Sequence, residues 1–291
     1  MRVTRQFASF WLLWLFFSAL WWRQLFATFG LAVHQDEFTH ILLILPISAA
    51  LIGLECKAWK QTAAWNLRAG LSLAALGVVI ALASRWWLAA PDVKLSANML
   101  ALVILWIASF VICFGTRAAS VVTFALCFLF WMVPIPEFLL LRVAQMWQRG
   151  SAFAASLLFS AVGVPCTQDG IFLSIPDLNL EVARECSSLR SSLMLIVTTM
   201  VLAHLFLRTP WRKALAILVA VPLSIAKNGL RIFVIGMLTT RVDPSFMTGR
   251  LHHKGGIVFF LIALAAILLL IWILRKTEGT IADAAKLSPA L

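Results

Sequence analysis

The chain has 291 residues, of which 62% are hydrophobic and only 12% charged, with 13 Trp, 21 Phe and no Tyr. That much apolar surface excludes a soluble domain, and the apolar residues fall in runs of about 20, each long enough to cross a bilayer as a helix. The formal charge of +12 could suggest nucleic acid, but the basic residues lie between the apolar runs rather than in one patch. They favour membrane anchoring instead. We therefore predict an all-α polytopic membrane protein that binds no nucleic acid.

The chain begins with an apolar run, Phe7 to Ala32, that is too long for a signal-peptide core and lacks a convincing cleavage site. We therefore interpret it as the first of about eight retained membrane helices. The eight predicted spans are residues 8–32, 39–54, 67–88, 97–115, 118–135, 187–207, 213–238 and 254–274.

A different kind of segment lies between the fifth and sixth predicted helices. Pro134 and Pro136 stop the fifth helix, because proline lacks the donor for the next helical hydrogen bond. Residues 137–162 then have the pattern of an amphipathic or re-entrant helix, and 163–170 are rich in turn residues. Residues 171–182 alternate apolar and polar side chains, as in a small β-hairpin. In a single membrane domain, 1–291, we place residues 137–185 outside the bilayer or at its interface.

The orientation follows from the loops, although a raw count of Lys and Arg does not discriminate. The connection between the sixth and seventh helices, Arg208 to Lys213, is short and dense in basic residues, which is typical of a cytoplasmic loop. We therefore predict a cytoplasmic N-terminus.

Cys186 stands in a polar run that leads directly into an apolar helix. The free N–H groups and the positive dipole of a first helical turn favour thiolate over thiol, and Arg190, four residues later, adds a cation on the same face. The alternative for Cys186 alone is a small, inert residue at a helix start.

The other cysteines point to no metal site or disulfide framework. None of the five forms a CxxC pair or shows metal-ligand spacing. Besides Cys186, only Cys166 falls in the segment placed outside the membrane. We expect no disulfide between them, since it would consume the reactive thiol.

With the N-terminus inside, three polar clusters reach the same outer membrane face. The sixth helix begins there at Cys186, the seventh runs outward through Lys227, Asn228 and Arg231, and the eighth begins beside His252 and His253. We therefore treat 186–260 as a set of catalytic helix ends. Charges within a span cost about 2.5–3.5 kcal/mol each on insertion scales and usually mark function. The alternatives are a snorkelling pair of cationic anchors and an interfacial His cap.

A thiol, an imidazole and a guanidinium at one site are suited to nucleophilic acyl chemistry. The thiolate attacks a carbonyl carbon, and a histidine moves protons to the leaving amine and from the incoming nucleophile. An arginine stays charged and can stabilise the oxyanion.

These residues resemble the exosortases and their archaeal relatives, the archaeosortases, which are multi-span membrane cysteine transpeptidases. The similarity is best from Phe124 to Phe260. Its motifs are Phe124–Pro136 ending in Pro-x-Pro, Gly163-Val-Pro, Gly170, Leu180-Glu-Val182, Cys186-Ser-Ser-Leu-Arg-Ser191, Asn228-Gly-Leu-Arg231-Ile and His252-x-x-x-Gly256 followed by Phe260; Asp36-Glu-Phe-Thr-His40 resembles a further early motif. Ser188 stands where glycine is usual in the family.

The resemblance implies Cys186 as nucleophile, Arg231 as catalytic arginine and His252 rather than His253 as catalytic histidine. Arg190, Asn228, Lys227 and His253 are candidate supporting residues, and no cofactor or metal is implied. The implied partners are secreted proteins with a C-terminal sorting signal: a short motif such as Pro-Glu-Pro, a membrane helix and a basic tail. The implied location is the bacterial inner membrane, with the site facing the periplasm. The acyl acceptor, the recognised tripeptide and the oligomeric state stay open.

Two other functions fit the same hydropathy pattern. A transporter with Lys227, Arg231 and His252 along an anion path would need polar residues at mid-membrane depth, whereas these cluster at one face. A non-catalytic component of an exopolysaccharide export pathway would have no need of Cys186. Zinc and serine intramembrane proteases have poor support, since the chain contains neither His-Glu-x-x-His nor Gly-x-Ser-x-Gly.

Overall fold

The structure is a computed structural model that describes residues 2–176, 178–182, 189–243, 245 and 256–287, with the side chains of residues 2, 3 and 279–287 excepted. Within these ranges the chain is mostly helical and forms two compact units, Met1–Leu140 and Leu141–Leu291.

The described helices account for the predicted membrane spans. Six are long and apolar enough to cross a bilayer, and the count reaches eight if each of two bent helix pairs forms one span. The first pair corresponds to the predicted first span, and the second joins the predicted fifth span to the helix predicted over 137–162. The prediction of about eight spans is therefore confirmed. The six are Asp36–Leu54, Leu67–Trp87, Pro91–Val121, Leu189–Phe206, Pro210–Arg241 and Gly256–Glu278.

The first unit contains seven helices and the beginning of an eighth. A 3-10 turn, Asp36–Phe38, precedes the third helix. The helices are α1 (Arg2–Leu20), α2 (Trp22–His34), α3 (Ile41–Leu54), α4 (Cys56–Gln61), α5 (Leu67–Trp87), α6 (Pro91–Val121), α7 (Thr123–Phe128) and α8 (Glu137–Ala161).

The first predicted span is broken rather than continuous. Trp21 leaves the helical conformation, with φ −100° and ψ 21°, and the two halves meet at a bend of 76°. Neither glycine nor proline marks this position, so the apolar run alone did not indicate the break. Trp21 is 9% exposed, and its burial accompanies the bend.

The core of the first unit lies around α6. Phe110 and Phe114 of α6 pack with Trp59, Phe7 and Phe10 in tilted and edge-to-face ring contacts. Such ring pairs add about 0.5–1.5 kcal/mol beyond their buried area. The helix α6 is longer at both ends than the predicted fourth helix, 97–115, since it begins at Pro91 and ends at Val121.

The extension of α6 passes through a kink at Gly115, which has φ +84° and ψ 170°. Glycine alone adopts that conformation without a Cβ penalty. The kink frees carbonyl groups in the turn before it, and the connection between α4 and α5 supplies their donors. The N–H of Ala64 donates to Phe114 O at 3.0 Å, and the N–H of Asn66 donates to Ile112 O at 3.1 Å.

The predicted fifth helix, 118–135, is wrong as one continuous element. Its first residues belong to α6, and the rest forms α7 and a 3-10 turn, Leu129–Met132. After the prolines α8 begins at Glu137, and the chain turns by 97° between the two parts. The helix predicted over 137–162 is confirmed as α8.

A small antiparallel sheet follows α8 in the second unit. Its strands, in spatial order, are β1 (Thr167–Asp169), β2 (Phe172–Ile175) and β3 (Leu178–Glu181). The predicted hairpin is β2–β3, with Leu173 paired to Leu180 on the buried face. The strand β1 lies in the stretch predicted as a turn, because three residues are too few to show a β alternation.

The second unit is completed by α9 (Leu189–Phe206), α10 (Pro210–Arg241) and α11 (Gly256–Leu287), which pack against one another. Proline at the first position of α10 is suited to a helix start, since its missing N–H needs no helical partner there.

Candidate active site

The polar cluster of α10 is buried. Lys227 is 6% exposed, Asn228 is fully buried and Arg231 is 7% exposed. A snorkelling anchor would extend its charged end to the membrane surface, where it would be well exposed. Burial of two cations four residues apart therefore argues against the anchor interpretation and for a functional cluster.

The first turn of α9 meets this cluster. Lys227 Nζ donates a hydrogen bond to the hydroxyl of Ser191, the third residue of α9. The contact joins the segment that follows Cys186 to the charged part of α10. Arg190, one residue earlier, is exposed. The structure therefore places Lys227 against the Ser191 hydroxyl.

The segment that precedes Cys186 is held by α8. Gln148 Nε2 donates to Val182 O at 2.8 Å, and Trp147 Nε1 donates to Ser224 Oγ of α10 at 3.0 Å. All four residues that form these two hydrogen bonds are buried. Both described ends of the stretch around Cys186 are thus attached near residues 224–227 of α10.

Glycines allow α8 and α10 to approach closely beside the cluster. A Cβ at Gly229 would lie 3.0 Å from the backbone nitrogen of Ala155, and a Cβ at Gly150 would lie 3.0 Å from Ile225 Cγ2. A Cβ at Gly229 would also lie 2.5 Å from Ala154 Cβ, nearer than real Cβ atoms come, so Gly229 requires the absence of a side chain. At Gly150 the Ile225 side chain would have to shift by a few tenths of an ångström. The glycine of the Asn-Gly-Leu-Arg motif is therefore explained by packing against α8.

The buried side-chain amide of Asn228 lacks hydrogen-bond partners among the described residues. Neither Nδ2 nor Oδ1 of this amide has a hydrogen-bond partner among the described residues, although the side chain has no exposed surface. An unsatisfied buried polar group costs about 1–3 kcal/mol. A structure retains such a group where a ligand completes its bonding or where other contacts offset the cost.

The opposite end of these helices is fixed by polar contacts. Arg212 Nη1 of α10 donates to Leu274 O of α11 at 2.6 Å, and the Glu278 carboxylate accepts from the N–H groups of Arg208 and Thr209. The start of α10 therefore lies beside the end of α11, and the two helices are antiparallel.

The position of the α11 start along the axis of α10 follows from this contact. At about 1.5 Å of rise per residue, Arg231 lies roughly 28 Å along α10 from Arg212, and Gly256 lies roughly 27 Å along α11 from Leu274. The described starts of α9 and α11 and the polar cluster of α10 thus lie at the same end of the three helices.

Three of the candidate residues lie outside the described residues: Cys186, His252 and His253. Their places in the site stay predictions. Cys166 is described, is a free thiol, and has its pKa raised by burial. A raised pKa lowers the thiolate fraction, so Cys166 is poorly suited to act as a nucleophile.

Sequence reasoning missed the residues that brace the cluster. Ser191 was visible as the last residue of the Cys-Ser-Ser-Leu-Arg-Ser motif, but its contact with Lys227 was not deduced. Trp147 and Gln148 sit in an amphipathic stretch where their polar atoms gave no indication of long-range partners. A polar side chain on the apolar face of such a helix was the available signal.

Comparison with known proteins identifies the family of this chain. The family described as Transmembrane exosortase (Exosortase_EpsH) matches residues 21–269, which include the described cluster and the motifs around it. Searches of curated proteins and of solved structures find no match. Because the match covers most of the chain, the protein belongs to the transmembrane exosortase family.

Proposed function

We propose that this protein is a membrane-embedded cysteine protease or transpeptidase that removes a C-terminal sorting signal from secreted proteins. The observation that carries the proposal is the buried cluster of Lys227, Asn228 and Arg231, placed where α9 and α11 begin, in a chain of the exosortase family. The substrate signal is a short Pro-Glu-Pro-type motif, a membrane helix and a basic tail.

In the proposed reaction the Cys186 thiolate attacks the carbonyl carbon of the scissile peptide bond. Arg231 stabilises the oxyanion, and His252 protonates the departing amine, which leaves a thioester on Cys186. His252 then takes a proton from the incoming nucleophile, which attacks the thioester carbonyl and displaces the Cys186 thiolate. Water as the nucleophile gives hydrolysis, and an amine or hydroxyl gives transfer.

Chain connectivity supports the role of Cys186. It is three residues from Leu189, so its Cα lies within roughly 11 Å of that residue. Ser191, in the first turn of α9, contacts Lys227, and Arg231 is one helical turn further along α10 than Lys227. Nearby cations favour the thiolate.

Asn228 is the residue we assign to substrate binding. Its fully buried amide offers one donor and one acceptor with no described partner, which matches the C=O and N–H of an extended peptide. In this role Asn228 fixes the substrate main chain beside Arg231. Lys227 and Ser191 position the first turn of α9.

Substitution of the nucleophile tests the enzyme assignment. Cys186→Ser in the full-length protein should accumulate in the membrane at normal levels yet leave the tail of a co-expressed substrate uncut, because a serine hydroxyl stays protonated where a thiol ionises. Tail removal is read by gel shift, with enzyme abundance measured in parallel and Cys166→Ser as the matched control. Wild-type processing by Cys186→Ser would contradict the proposal.

The two histidines are separated in the same assay. His252→Ala should abolish processing, because general acid–base catalysis contributes about 10²–10⁴ in rate, while His253→Ala should only weaken it. The reverse result would move the role to His253.

We further propose that the site faces the periplasm from the bacterial inner membrane. The basic connection at 208–213 would then be cytoplasmic. Cysteine-accessibility mapping should label positions 186 and 252 from outside and position 210 from inside. Labelling of 186 and 252 from opposite faces would contradict a shared site.

A further inference from the structure

The first unit contains a cavity of about 480 Å³, lined by both polar and apolar side chains, that the proposed reaction does not use. It lies where α5 ends and α6 begins, against the bend between α1 and α2. Its described lining includes the cations Arg85 and Lys94 and the amides Gln24 and Asn98, with no acidic residue.

The wall that carries the two cations is held by hydrogen bonds. Asn98 Nδ2 of α6 donates to Ser84 Oγ of α5 at 2.9 Å and to Lys94 O at 2.8 Å. Ser84 is next to Arg85 in the chain, so one amide fixes the backbone beside both charges. The backbone positions from which both cations extend are therefore fixed relative to each other before any ligand arrives.

The cavity also contains an acceptor without a donor. Gln24 Oε1 is buried and has no hydrogen-bond partner among the described residues. A ligand that complements the lining thus carries a negative charge for Arg85 and Lys94 and a hydrogen-bond donor for Gln24. A phosphate ester bearing a hydroxyl meets both requirements.

The position of the cavity indicates where such a phosphate comes from. The 21-residue span of α5 ends at Trp87, and Trp86 and Trp87 are 78% and 84% exposed, as expected for aromatic side chains at the membrane–water interface. From the cavity, exposed Leu82 and Val78 continue along α5 towards the bilayer interior. An acyl chain can follow this apolar surface.

We propose that this cavity binds the headgroup of an anionic phospholipid whose headgroup carries a hydroxyl, with the phosphate between Arg85 and Lys94 and an acyl chain along α5. The chemistry shared with free phosphate is the phosphoryl anion. The lipid is distinguished by its chain and by the hydroxyl that donates to Gln24.

The test measures lipid retained by the purified full-length protein in detergent, by native mass spectrometry. Phosphatidylglycerol, phosphatidylcholine and inorganic phosphate are added separately. We expect phosphatidylglycerol to be retained at least tenfold more than phosphatidylcholine, and millimolar inorganic phosphate to leave it bound. Equal retention of the two lipids would overturn the proposal. Displacement by inorganic phosphate alone would overturn the assignment to a lipid.

Variants locate the effect. Combined Arg85→Gln and Lys94→Gln should lower phosphatidylglycerol retention about tenfold, and Gln24→Leu should lower it a few-fold. Arg68→Gln changes an exposed cation at the other end of the same helix and should retain the lipid normally. Thermal unfolding compares the folding of all variants. A folded double variant that retains the lipid like the wild-type protein would also overturn the proposal.

Discussion

The two longest described spans, α6 and α10, are built alike but bury different chemistry. Both begin with proline at the first helical position and exceed 30 residues. In α6, 83% of the residues in its most apolar 18-residue stretch are buried, and the buried side chains are almost all apolar. In α10 the corresponding share is 39%, and the buried residues include Arg212, Lys227, Asn228 and Arg231.

The difference separates stability from function within one chain. Apolar burial in α6 organises the packing of the first unit, and a substitution there acts through folding. The buried polar groups of α10 cost free energy, so their removal should affect the reaction more than the stability. Each half of this comparison can be tested by a substitution.

The largest effect is expected at Arg231. Arg231→Lys keeps the charge but replaces a planar, fixed set of donors with a mobile ammonium, so in the proposed reaction the oxyanion would lose its stabilisation. We expect tail processing to fall about a hundredfold or more at normal membrane abundance, measured by gel shift and immunoblot. Arg241→Lys, at the exposed end of the same helix, is the control. Near-normal processing by Arg231→Lys would show that α10 needs only a charge there.

A smaller effect on rate, with an informative effect on stability, is expected at Asn228. Asn228→Leu removes the unpartnered amide, so thermal unfolding should be unchanged or shifted upward, because a buried unsatisfied group is lost. Processing should fall about tenfold, equivalent to about 1.4 kcal/mol for a lost bond to substrate.

Thr239→Val is the matched control, because the Thr239 hydroxyl donates within its own helix, to Ile235 O at 2.8 Å. A strongly destabilised Asn228→Leu with full activity per folded molecule would reverse the assignment and make Asn228 structural.

The smallest effect on activity is expected in α6. Gly115→Ala places a Cβ at φ +84°, against the carbonyl oxygen of Ala64, so folding should weaken by about 2 kcal/mol. Membrane abundance and the unfolding midpoint should fall, while processing per folded molecule stays unchanged. Gly30→Ala, with nothing within 4 Å of the added Cβ, should be silent. Loss of specific activity in Gly115→Ala would link the kink to the reaction.

Composition and periodicity were sufficient to predict the membrane fold. Runs such as 67–88 have a single helical solution in a bilayer, because every backbone group must be bonded internally. Breaks were harder to predict. Pro134 and Pro136 predicted the break after the fifth span, because proline cannot continue a helix. The breaks at Trp21 and Gly115 were not predicted, because the first depends on tertiary packing and the second on a left-handed glycine within an apolar run.

The cluster on α10 was also predictable, since Lys227 and Arg231 interrupt an otherwise apolar helix. The bracing contacts were not, because Gln148 and Val182 are 34 residues apart and meet only through the fold. That the Asn228 amide has no partner among the described residues likewise depends on which neighbours surround it, which no local pattern encodes.

The kink in α6 has a consequence for the order in which the chain is made. The donors that satisfy the carbonyls of Ile112 and Phe114 belong to Ala64 and Asn66, which leave the ribosome before their acceptors. When the end of α6 is synthesised, its partners have therefore already emerged. A break that would otherwise expose bare carbonyl groups to lipid during insertion can thus close as soon as it forms.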